Sequence, residues 1–165
     1  MKPKISIIVA VAADGAIGRN GDLIVRLRPD MRHFRQTTMG HPIIMGRKTW
    51  ESLPNGALPG RRNIVISRNE AFNAPGADVF QSIEDALASL ANGEEAIIMG
   101  GGQIYSMTLP YAERIYLTEI DTYSPDADTF FPKLNSTEWK RENIGEWATD
   151  PDTGLKYRFS CLVRK

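Results

Sequence analysis

The sequence predicts one α/β domain, spanning residues 1–165 and built on a largely parallel sheet. Its 165 residues suit a single domain. Apolar runs of strand length alternate with helical patterns, and two strand-like runs joined by a tight turn close the chain. The first run, residues 5–12, is rich in β-branched residues, as in a parallel strand covered on both faces. It is short and leads directly into the rest of the domain, so we interpret it as a buried strand rather than a signal peptide.

The remaining elements follow from periodicity and turn residues. We predict strands at 42–45, 63–67, 77–80, 96–99 and 114–120, and a C-terminal hairpin of strands at about 139–147 and 157–163. Asn20-Gly21-Asp22 predicts a turn or mobile loop, and Pro29 suits the first turn of the helix that follows. Further helices are predicted at 47–53, from Ser82 to a stop at Asn92-Gly93, and at 103–109.

Composition excludes several classes of function. Apolar residues make up 42% of the chain and charged residues 24%, as in ordinary globular proteins. Twenty basic residues balance twenty acidic ones, so bulk charge predicts neither a nucleic-acid nor a membrane-surface partner. No window approaches the length of a membrane span. Cys161 is the single cysteine, and His33 and His41 are isolated, so we expect no metal site and a reducing, cytoplasmic environment.

Asp30 is the first candidate for a functional side chain. One side of the predicted helix carries Leu27, Asp30, Met31, Phe34 and Thr38, and the other carries Arg32, His33, Arg35 and Gln36. An acid in a first helical turn often does no more than complement the helix dipole. Asp30 instead lies on the apolar side, where an unpaired carboxylate is costly and typically marks a site.

Two strand–glycine–helix units predict phosphate binding. They are PIIMGRKT (42–49) and AIIMGGGQIY (96–105), and each places backbone N–H groups of a helix start beyond the carboxyl end of a strand. Taken singly, such a glycine is usually a plain turn, and Arg47-Lys48 is usually a solvated surface. Together with Ser67-Arg68 they suit a ligand with a pyrophosphate and one further phosphate, which is the layout of NADPH. Neither unit has the regular Rossmann or P-loop pattern.

Five motifs extend across the chain: VAADGAIGRNGDL (11–23), PDMRHFRQTTMGHPIIMGRKTWESLP (29–54), LPGRRNIVIS (58–67), IIMGGGQIY (97–105) and DTFFP (128–132). With these motifs the chain resembles the dihydrofolate reductase family. The resemblance covers nearly the whole chain. It implies an eight-stranded, mostly parallel sheet with an antiparallel C-terminal strand and helices on both faces. It also implies NADPH-dependent reduction of 7,8-dihydrofolate to tetrahydrofolate for one-carbon and thymidylate metabolism, sensitivity to antifolate inhibitors, and a cytoplasmic monomer.

The resemblance assigns substrate-binding roles to specific residues. Asp30 matches the acid that holds the pterin, where a carboxylate accepts two parallel hydrogen bonds from the 2-amino group and ring N3–H. Thr118 matches a hydroxyl that supports this acid, and Arg61 matches the cation for the carboxylate of the glutamate tail. The pocket walls are Ile8, Val9, Ala10, Phe34 and Leu53. Taken alone, Phe34, Leu53 and Met99 are better explained by core packing.

The same resemblance assigns the cofactor contacts. Ala10, Ile17 and Gly18 match residues on one side of the nicotinamide, and Met99 and Tyr105 match residues on its other side. The expected phosphate contacts are Gly46, Arg47, Lys48, Thr49, Ser67, Arg68, Gly100, Gly101, Gly102 and Gln103. The resemblance also suggests a cis peptide bond between Gly100 and Gly101.

The active-site loop departs from the family pattern and leaves alternatives open. Members usually have Pro-Trp-x-Leu-Pro where this chain has Ile24-Val25-Arg26-Leu27-Arg28. Val25 cannot supply the N–H of the expected indole, and the missing proline at Ile24 leaves a freer loop. A reductase of the same fold acting on another heterocycle, such as a pyrimidine intermediate of riboflavin synthesis, is therefore one alternative. A folate- or NADPH-binding protein with weak catalysis is another, although Arg61 and Phe34 favour folate reduction.

Overall fold

Twelve strands and four α-helices are present in the computed structural model, which describes residues 2–19 and 22–165 and omits the side chain of Asp22. The strands are β1 (Lys4–Ala12), β2 (Ala16–Arg19), β3 (Asp22–Leu23), β4 (Ile43–Gly46), β5 (Asn63–Ile66), β6 (Ala77–Phe80), β7 (Glu95–Gly100), β8 (Arg114–Ile120), β9 (Thr129–Phe130), β10 (Trp139–Ile144), β11 (Ala148–Thr149) and β12 (Lys156–Arg164). The helices are α1 (Arg28–Thr38), α2 (Arg47–Glu51), α3 (Ile83–Ala88) and α4 (Gly102–Thr108), and a 3₁₀ turn spans Leu109–Tyr111.

The main sheet has nine strands, one more than expected, and eight of them follow the order β10-β12-β8-β1-β7-β4-β5-β6. Neighbours from β8 to β6 are parallel, whereas β12 runs antiparallel to both β8 and β10. The two-residue strand β11 adds a short antiparallel pairing to β12. The predicted fold class, including the antiparallel C-terminal strand, is therefore confirmed.

Helices cover both faces of this sheet. Alternate residues of a strand point to opposite faces, and in β4 Ile44 joins one core cluster while Ile43 and Met45 join another. The first, here called the α4-side cluster, includes residues of α3 and α4, and the second, the α2-side cluster, includes Trp50 of α2. Strand register places Thr118, which contacts α1, on the face of the α2-side cluster. Helices α1 and α2 thus share one face, and α3 and α4 share the other.

A small second sheet was not predicted from the sequence. Strands β3, β2 and β9 pair antiparallel in that order. Residues 16–19 were interpreted as part of a loop region, since strands of two to four residues carry too little periodicity to be recognised. Two residues of the predicted turn, Asn20 and Gly21, lie outside the described part of the chain.

Several elements end earlier in the structure than the sequence predicts. Helix α2 stops at Glu51 rather than at residue 53, because the Ser52 hydroxyl donates to Thr49 O and terminates the turn. Helix α3 stops at Ala88, well before Asn92-Gly93, since the Ser89 hydroxyl donates to Ala86 O in the same way. The first hairpin strand, β10, ends at Ile144 after an irregularity in its register with β12.

Helix α1 has the predicted start but a different buried face. Pro29 lies in its first turn, and Leu27 and Thr38 are fully buried, as predicted. Met31, expected on the apolar side, is 50% exposed. His33, expected on the polar side, is half-buried and stacks on Phe159 of β12. The helix therefore packs on β8 and β12 through the side that carries Asp30 and His33.

Candidate active site

A half-buried carboxylate, that of Asp30, lies where α1 packs on the sheet. Thr118 Oγ1 on β8 donates a 2.7 Å hydrogen bond to Asp30 Oδ1. Burial raises the pKa of Asp30 above its ordinary value, while the Thr118 hydrogen bond and the charge of His33 act in the opposite direction. The carboxylate is thus partly shielded from water and fixed in orientation by a hydroxyl from the neighbouring strand. This pair was expected from the resemblance.

His33 was missed as a neighbour of this carboxylate. Its ring stacks on Phe159 with 4.0 Å between ring centroids and an interplanar angle of 19°. Phe159 pairs directly with Thr118 across β12 and β8, so residues one helical turn apart in α1 contact adjacent positions of the sheet. Burial lowers the pKa of His33, and the charge of Asp30 partly offsets this. The spacing of three residues from Asp30 was the available signal, because such residues share a helix face.

Tyr105 connects the second glycine unit to the same region. Its hydroxyl donates a 2.8 Å hydrogen bond to Ile8 O on β1, and its ring meets Phe131 edge-on with 5.3 Å between ring centroids. Burial raises the pKa of Tyr105 far above its ordinary value, and the charge of Asp30 raises it further. Tyr105, assigned to the cofactor side, thus binds the β1 backbone two residues before Ala10, which pairs with Thr118, the partner of Asp30.

Arg61 lies at the C-terminal end of α1. Its Nη1 donates to Thr38 Oγ1 at 3.0 Å and its Nε donates to Pro59 O at 2.9 Å. The Thr38 hydroxyl donates in turn to Phe34 O at 2.8 Å, so Arg61 is tied to the turn that carries Phe34. Burial lowers the pKa of Arg61, and the nearby charge of Arg35 lowers it further. Two neighbouring guanidinium groups favour a carboxylate partner here.

The two glycine units lie side by side at the carboxyl edge of the parallel strands. Met45 of β4 pairs with Gly100 of β7, and helices α2 and α4 begin immediately beyond. A Cβ added to Gly46 would lie 2.9 Å from Ile104 Cγ1 and 3.9 Å from the backbone N of Gly101. A Cβ on Gly101 would lie 3.4 Å from Thr49 Oγ1. The peptide bond between Gly100 and Gly101 is cis, as the resemblance suggested.

This arrangement fits a pyrophosphate. Gly46 and Gly101 cap α2 and α4 without a side-chain hydrogen bond, so the first N–H groups of both helices are left for a ligand. The remaining expected phosphate contacts surround them. Thr49 and Gly102 are half-buried, Ser67 is buried, and Arg47, Lys48, Arg68 and Gln103 are exposed.

The altered loop, residues 24–28, lies between two segments that contact other parts of the protein. Ile17 is buried, and Gly18 O accepts the Asp128 N–H at 3.1 Å. Arg28, which stands where family members usually have proline, forms a 3.1 Å ion pair with Asp152 in the turn before β12. Ile24 and Val25 line a cavity of about 10 Å³, enough for a single water molecule. Its other lining residues are Ala10, Ala12, Ala16, Ile17, Leu23, Ile120 and Thr122.

The apolar candidates divide between core and cleft. Ile8 and Val9 are buried in β1, and half-buried Ala10 pairs with Thr118. The prediction of Val9 as a pocket wall is wrong for its side chain, which packs in the α4-side cluster on the sheet face opposite Asp30. Leu53 and Met99 pack against the α2-side cluster, in agreement with core packing. Phe34 is half-buried and belongs to neither cluster, which leaves its ring available to a ligand beside Asp30.

Residues 2–19 and 22–165 contain neither a cluster suited to a metal ion nor a helix suited to a membrane. No group of three or more His, Cys, Asp and Glu side chains is placed to hold a metal ion. No helix there is long and apolar enough to cross a membrane.

The fold and the placement of the glycine units beside Asp30 define the class of protein. A mostly parallel sheet whose carboxyl edge has two adjacent glycine turns suited to a pyrophosphate, next to a half-buried carboxylate, is the arrangement expected of a nicotinamide-dependent oxidoreductase.

Comparison with known proteins identifies the family. The dihydrofolate reductase family model matches residues 4–164, and the chain therefore belongs to this family. It is 48% identical over 164 residues to the dihydrofolate reductase of Mycobacterium tuberculosis, covering 97% of this chain and 98% of the relative. The Neisseria gonorrhoeae enzyme is also 48% identical, over 162 residues, with 98% and 99% covered. A solved structure of Enterococcus faecalis dihydrofolate reductase, complexed with NADP(H) and RAB-propyl, matches with a TM-score of 0.90 and 27% identity over 98% of this chain and 96% of that one.

Proposed function

We propose that this protein reduces 7,8-dihydrofolate to 5,6,7,8-tetrahydrofolate with NADPH, supplying one-carbon and thymidylate metabolism. The main observation behind this proposal is the half-buried Asp30 carboxylate, which Thr118 fixes beside the glycine turns at the carboxyl edge of the sheet. Membership of the dihydrofolate reductase family supports the same reaction.

Asp30 holds the pterin ring. Oδ1 accepts the Thr118 hydroxyl, and an ionised carboxylate has about four acceptor positions on its two oxygens. Enough remain for two parallel hydrogen bonds from the 2-amino group and N3–H of the ring. Phe34 and Leu53 contact the ring and benzoyl group from one side, and Ile8 and Ala10 form the floor. Val9 contributes backbone only, because its side chain packs in the α4-side cluster on the other face of the sheet.

Arg61 binds the glutamate tail. Its guanidinium is held by Thr38 and Pro59 O, and Arg35 adds a second positive charge. A carboxylate between these cations relieves their mutual repulsion. The tail therefore leaves the pterin along the C-terminal half of α1.

The residues at the carboxyl edge fit NADPH. The adjacent helix starts at Gly46 and Gly101 suit the pyrophosphate, because a Cβ at Gly46 would occupy this narrow space. The cofactor contacts proposed here are Ala10, Ile17, Gly18, Gly46, Arg47, Lys48, Thr49, Ser67, Arg68, Met99, Gly100, Gly101, Gly102, Gln103 and Tyr105. When bound, NADPH supplies the hydride that reaches pterin C6.

The protein contributes to the reaction by orienting and polarising the pterin ring. Asp30 fixes the ring and stabilises positive charge on it, and Tyr105 and Ile8 close the inner wall through their hydrogen bond. A water molecule delivers the proton to N5, since Asp30 is committed to the opposite edge of the ring. Ile17, Gly18 and Val25 limit access of bulk water to the nicotinamide side.

Four further properties belong to the proposal. The whole chain acts as one domain and as a monomer, and it works in the cytoplasm, where a reducing environment suits the unpaired Cys161. Antifolate inhibitors occupy the pterin pocket and pair with Asp30. The neighbouring structure from Enterococcus faecalis, which carries NADP(H) and RAB-propyl, is consistent with such a pocket.

The experiment is a substrate panel with the purified chain. Loss of reduced-nicotinamide absorbance is followed with NADPH and either dihydrofolate or a pyrimidine intermediate of riboflavin synthesis. Rapid turnover with dihydrofolate alone supports the proposal. Turnover restricted to the pyrimidine would instead assign the other reductase activity, and tight binding of both ligands without turnover would assign a binding protein.

A further inference from the structure

Arg47 contacts the side chains of Phe72 and Glu51, neither of which has an assigned function. Its guanidinium carbon lies 4.7 Å from the centre of the Phe72 ring, and its Nε lies 3.3 Å from Glu51 Oε2 one turn further along α2. Both ion-pair partners are about half exposed, at 47% and 50%. Phe72 itself is half-buried and packs against the α2-side cluster, so the ring is the anchored member of this contact.

The loop that carries Phe72 begins at Ser67 and Arg68, just after the end of β5. Ser67 Oγ accepts the Asn69 N–H at 3.2 Å, and Asn69 Oδ1 accepts the Ala71 N–H at 3.0 Å. Asn69 O then accepts the Phe72 N–H at 3.0 Å. These consecutive turns connect Ser67 to Phe72, so the ring has a defined place relative to the end of β5. Because β5 pairs directly with β4, that place is beside the start of α2.

We propose that Phe72 is a positioning residue that holds Arg47 for the ribose monoester phosphate of the cofactor. It thereby favours NADPH over NADH. The inference deepens the proposed function and rests on it. The glycine turns at 46 and 101 take the pyrophosphate, whereas Arg47, Lys48 and Arg68 extend beyond them and suit a second, more exposed phosphate.

This selectivity has a physical reason: Phe72 fixes the Arg47 side chain before the cofactor binds. A free arginine side chain loses much conformational entropy when it is fixed by a ligand, and stacking on Phe72 incurs that loss before binding. The planar guanidinium keeps its N–H edge for a phosphate while its face covers the ring. Glu51 forms an exposed ion pair of low intrinsic strength, so a phosphate dianion displaces it. Glu51 therefore lowers the affinity for phosphate modestly without blocking it.

The test compares Phe72→Leu with wild type. Leucine retains apolar packing but lacks the aromatic face, and Phe72→Tyr is the conservative control that keeps it. Trp147→Leu is the matched control, because it removes the stacking of Arg158 on Trp147 elsewhere in the chain. Calorimetry measures binding of adenosine 2′,5′-bisphosphate and of adenosine 5′-monophosphate. Steady-state kinetics then gives KM for NADPH and for NADH, and thermal unfolding verifies the fold of each variant.

We expect Phe72→Leu to weaken bisphosphate binding and raise KM for NADPH by about two- to five-fold. Monophosphate binding, KM for NADH and kcat should stay unchanged, as should every parameter of Phe72→Tyr and Trp147→Leu. Glu51→Gln should strengthen bisphosphate binding by a similar factor at low salt. Unchanged bisphosphate binding in folded Phe72→Leu, or equal losses for both nucleotides, would overturn the inference. An absence of turnover with dihydrofolate in wild type would count against the proposed reaction, whereas the nucleotide-binding results would stand independently.

Discussion

Thr118 Oγ1 donates a 2.7 Å hydrogen bond to Asp30 Oδ1, joining two residues 88 positions apart in the sequence. One belongs to the first turn of α1 and the other to the middle of β8. Burial favours protonation of Asp30, while Thr118 stabilises its ionised form. The contact therefore fixes both the direction of the carboxylate and its readiness to carry a charge, and several predictions depend on it.

Thr118→Val should shift the pH dependence of the reaction. Loss of the hydroxyl removes an interaction that lowers the pKa of Asp30, so that pKa rises further above its ordinary value. The carboxylate must be ionised to accept two hydrogen bonds, so the acid limb of the kcat/KM profile should move to higher pH. The profile is measured with dihydrofolate at saturating NADPH. Thr118→Ser keeps the hydroxyl and should leave the limb in place, and an unshifted limb in Thr118→Val would contradict this role.

Asp30→Asn should stabilise the ligand-free protein at neutral pH. The folded pKa of Asp30 is raised, so the folded state binds the proton more tightly than the unfolded state does. Above the unfolded value of 3.8 the ionised carboxylate therefore costs stability, and well below that value the cost disappears. Asparagine still accepts the Thr118 hydroxyl and has no charge to bury. Urea unfolding should show a larger free energy of unfolding for the variant at pH 7 and a smaller difference near pH 4. A less stable variant at pH 7 would contradict the burial argument.

Val25→Trp should raise turnover or tighten substrate binding. The cavity beside Val25 is about 10 Å³ and cannot receive an indole, so the new side chain must lie outside it, and the family pattern places it at the substrate. There its N–H can hold water or a ligand atom. Steady-state kinetics and folate binding provide the measurement, with Val25→Leu as the apolar control. If both variants behave like wild type, the function of the missing indole is supplied by another group.

Arg61→Gln should weaken binding of the glutamate tail. Hydrogen bonds to a charged group contribute about 1.5–3 kcal/mol, so KM for dihydrofolate should rise by roughly ten- to a hundred-fold with little change in kcat. A dihydropteridine without the benzoylglutamate tail is the control substrate, and its KM should not change. Equal increases for both substrates would place the effect on Thr38 and the end of α1 rather than on the tail.

The family motifs predicted individual contacts more accurately than periodicity predicted the buried face of α1. The resemblance paired Thr118 with Asp30 and suggested a cis peptide bond between Gly100 and Gly101, and the structure has both features. The phase of α1 was taken from apolar periodicity alone, which counted Met31 as buried. Its actual orientation is determined by the contact of His33 with Phe159, and a stacked histidine leaves no trace in a hydrophobic pattern.

The Phe72–Arg47 contact and the small sheet have no signal in the local sequence. Phe72 lies in a turn-rich segment, where a single aromatic residue is not periodic with anything, yet it contacts Arg47 from a distant part of the sequence. The small sheet of β2, β3 and β9 joins short segments more than 100 residues apart, such as Ala16 and Phe130. Such contacts depend on tertiary packing, and single-sequence patterns cannot specify them.

The most direct measurement compares Asp30→Asn with wild type in two assays carried out together. One follows NADPH oxidation with dihydrofolate, and the other measures NADPH binding by calorimetry. We predict that turnover falls on the order of 10²- to 10³-fold, because the group that orients and polarises the pterin loses its charge, while NADPH affinity is unchanged. Wild-type turnover in the variant, with its fold and cofactor binding intact, would contradict the assignment of Asp30 to the pterin.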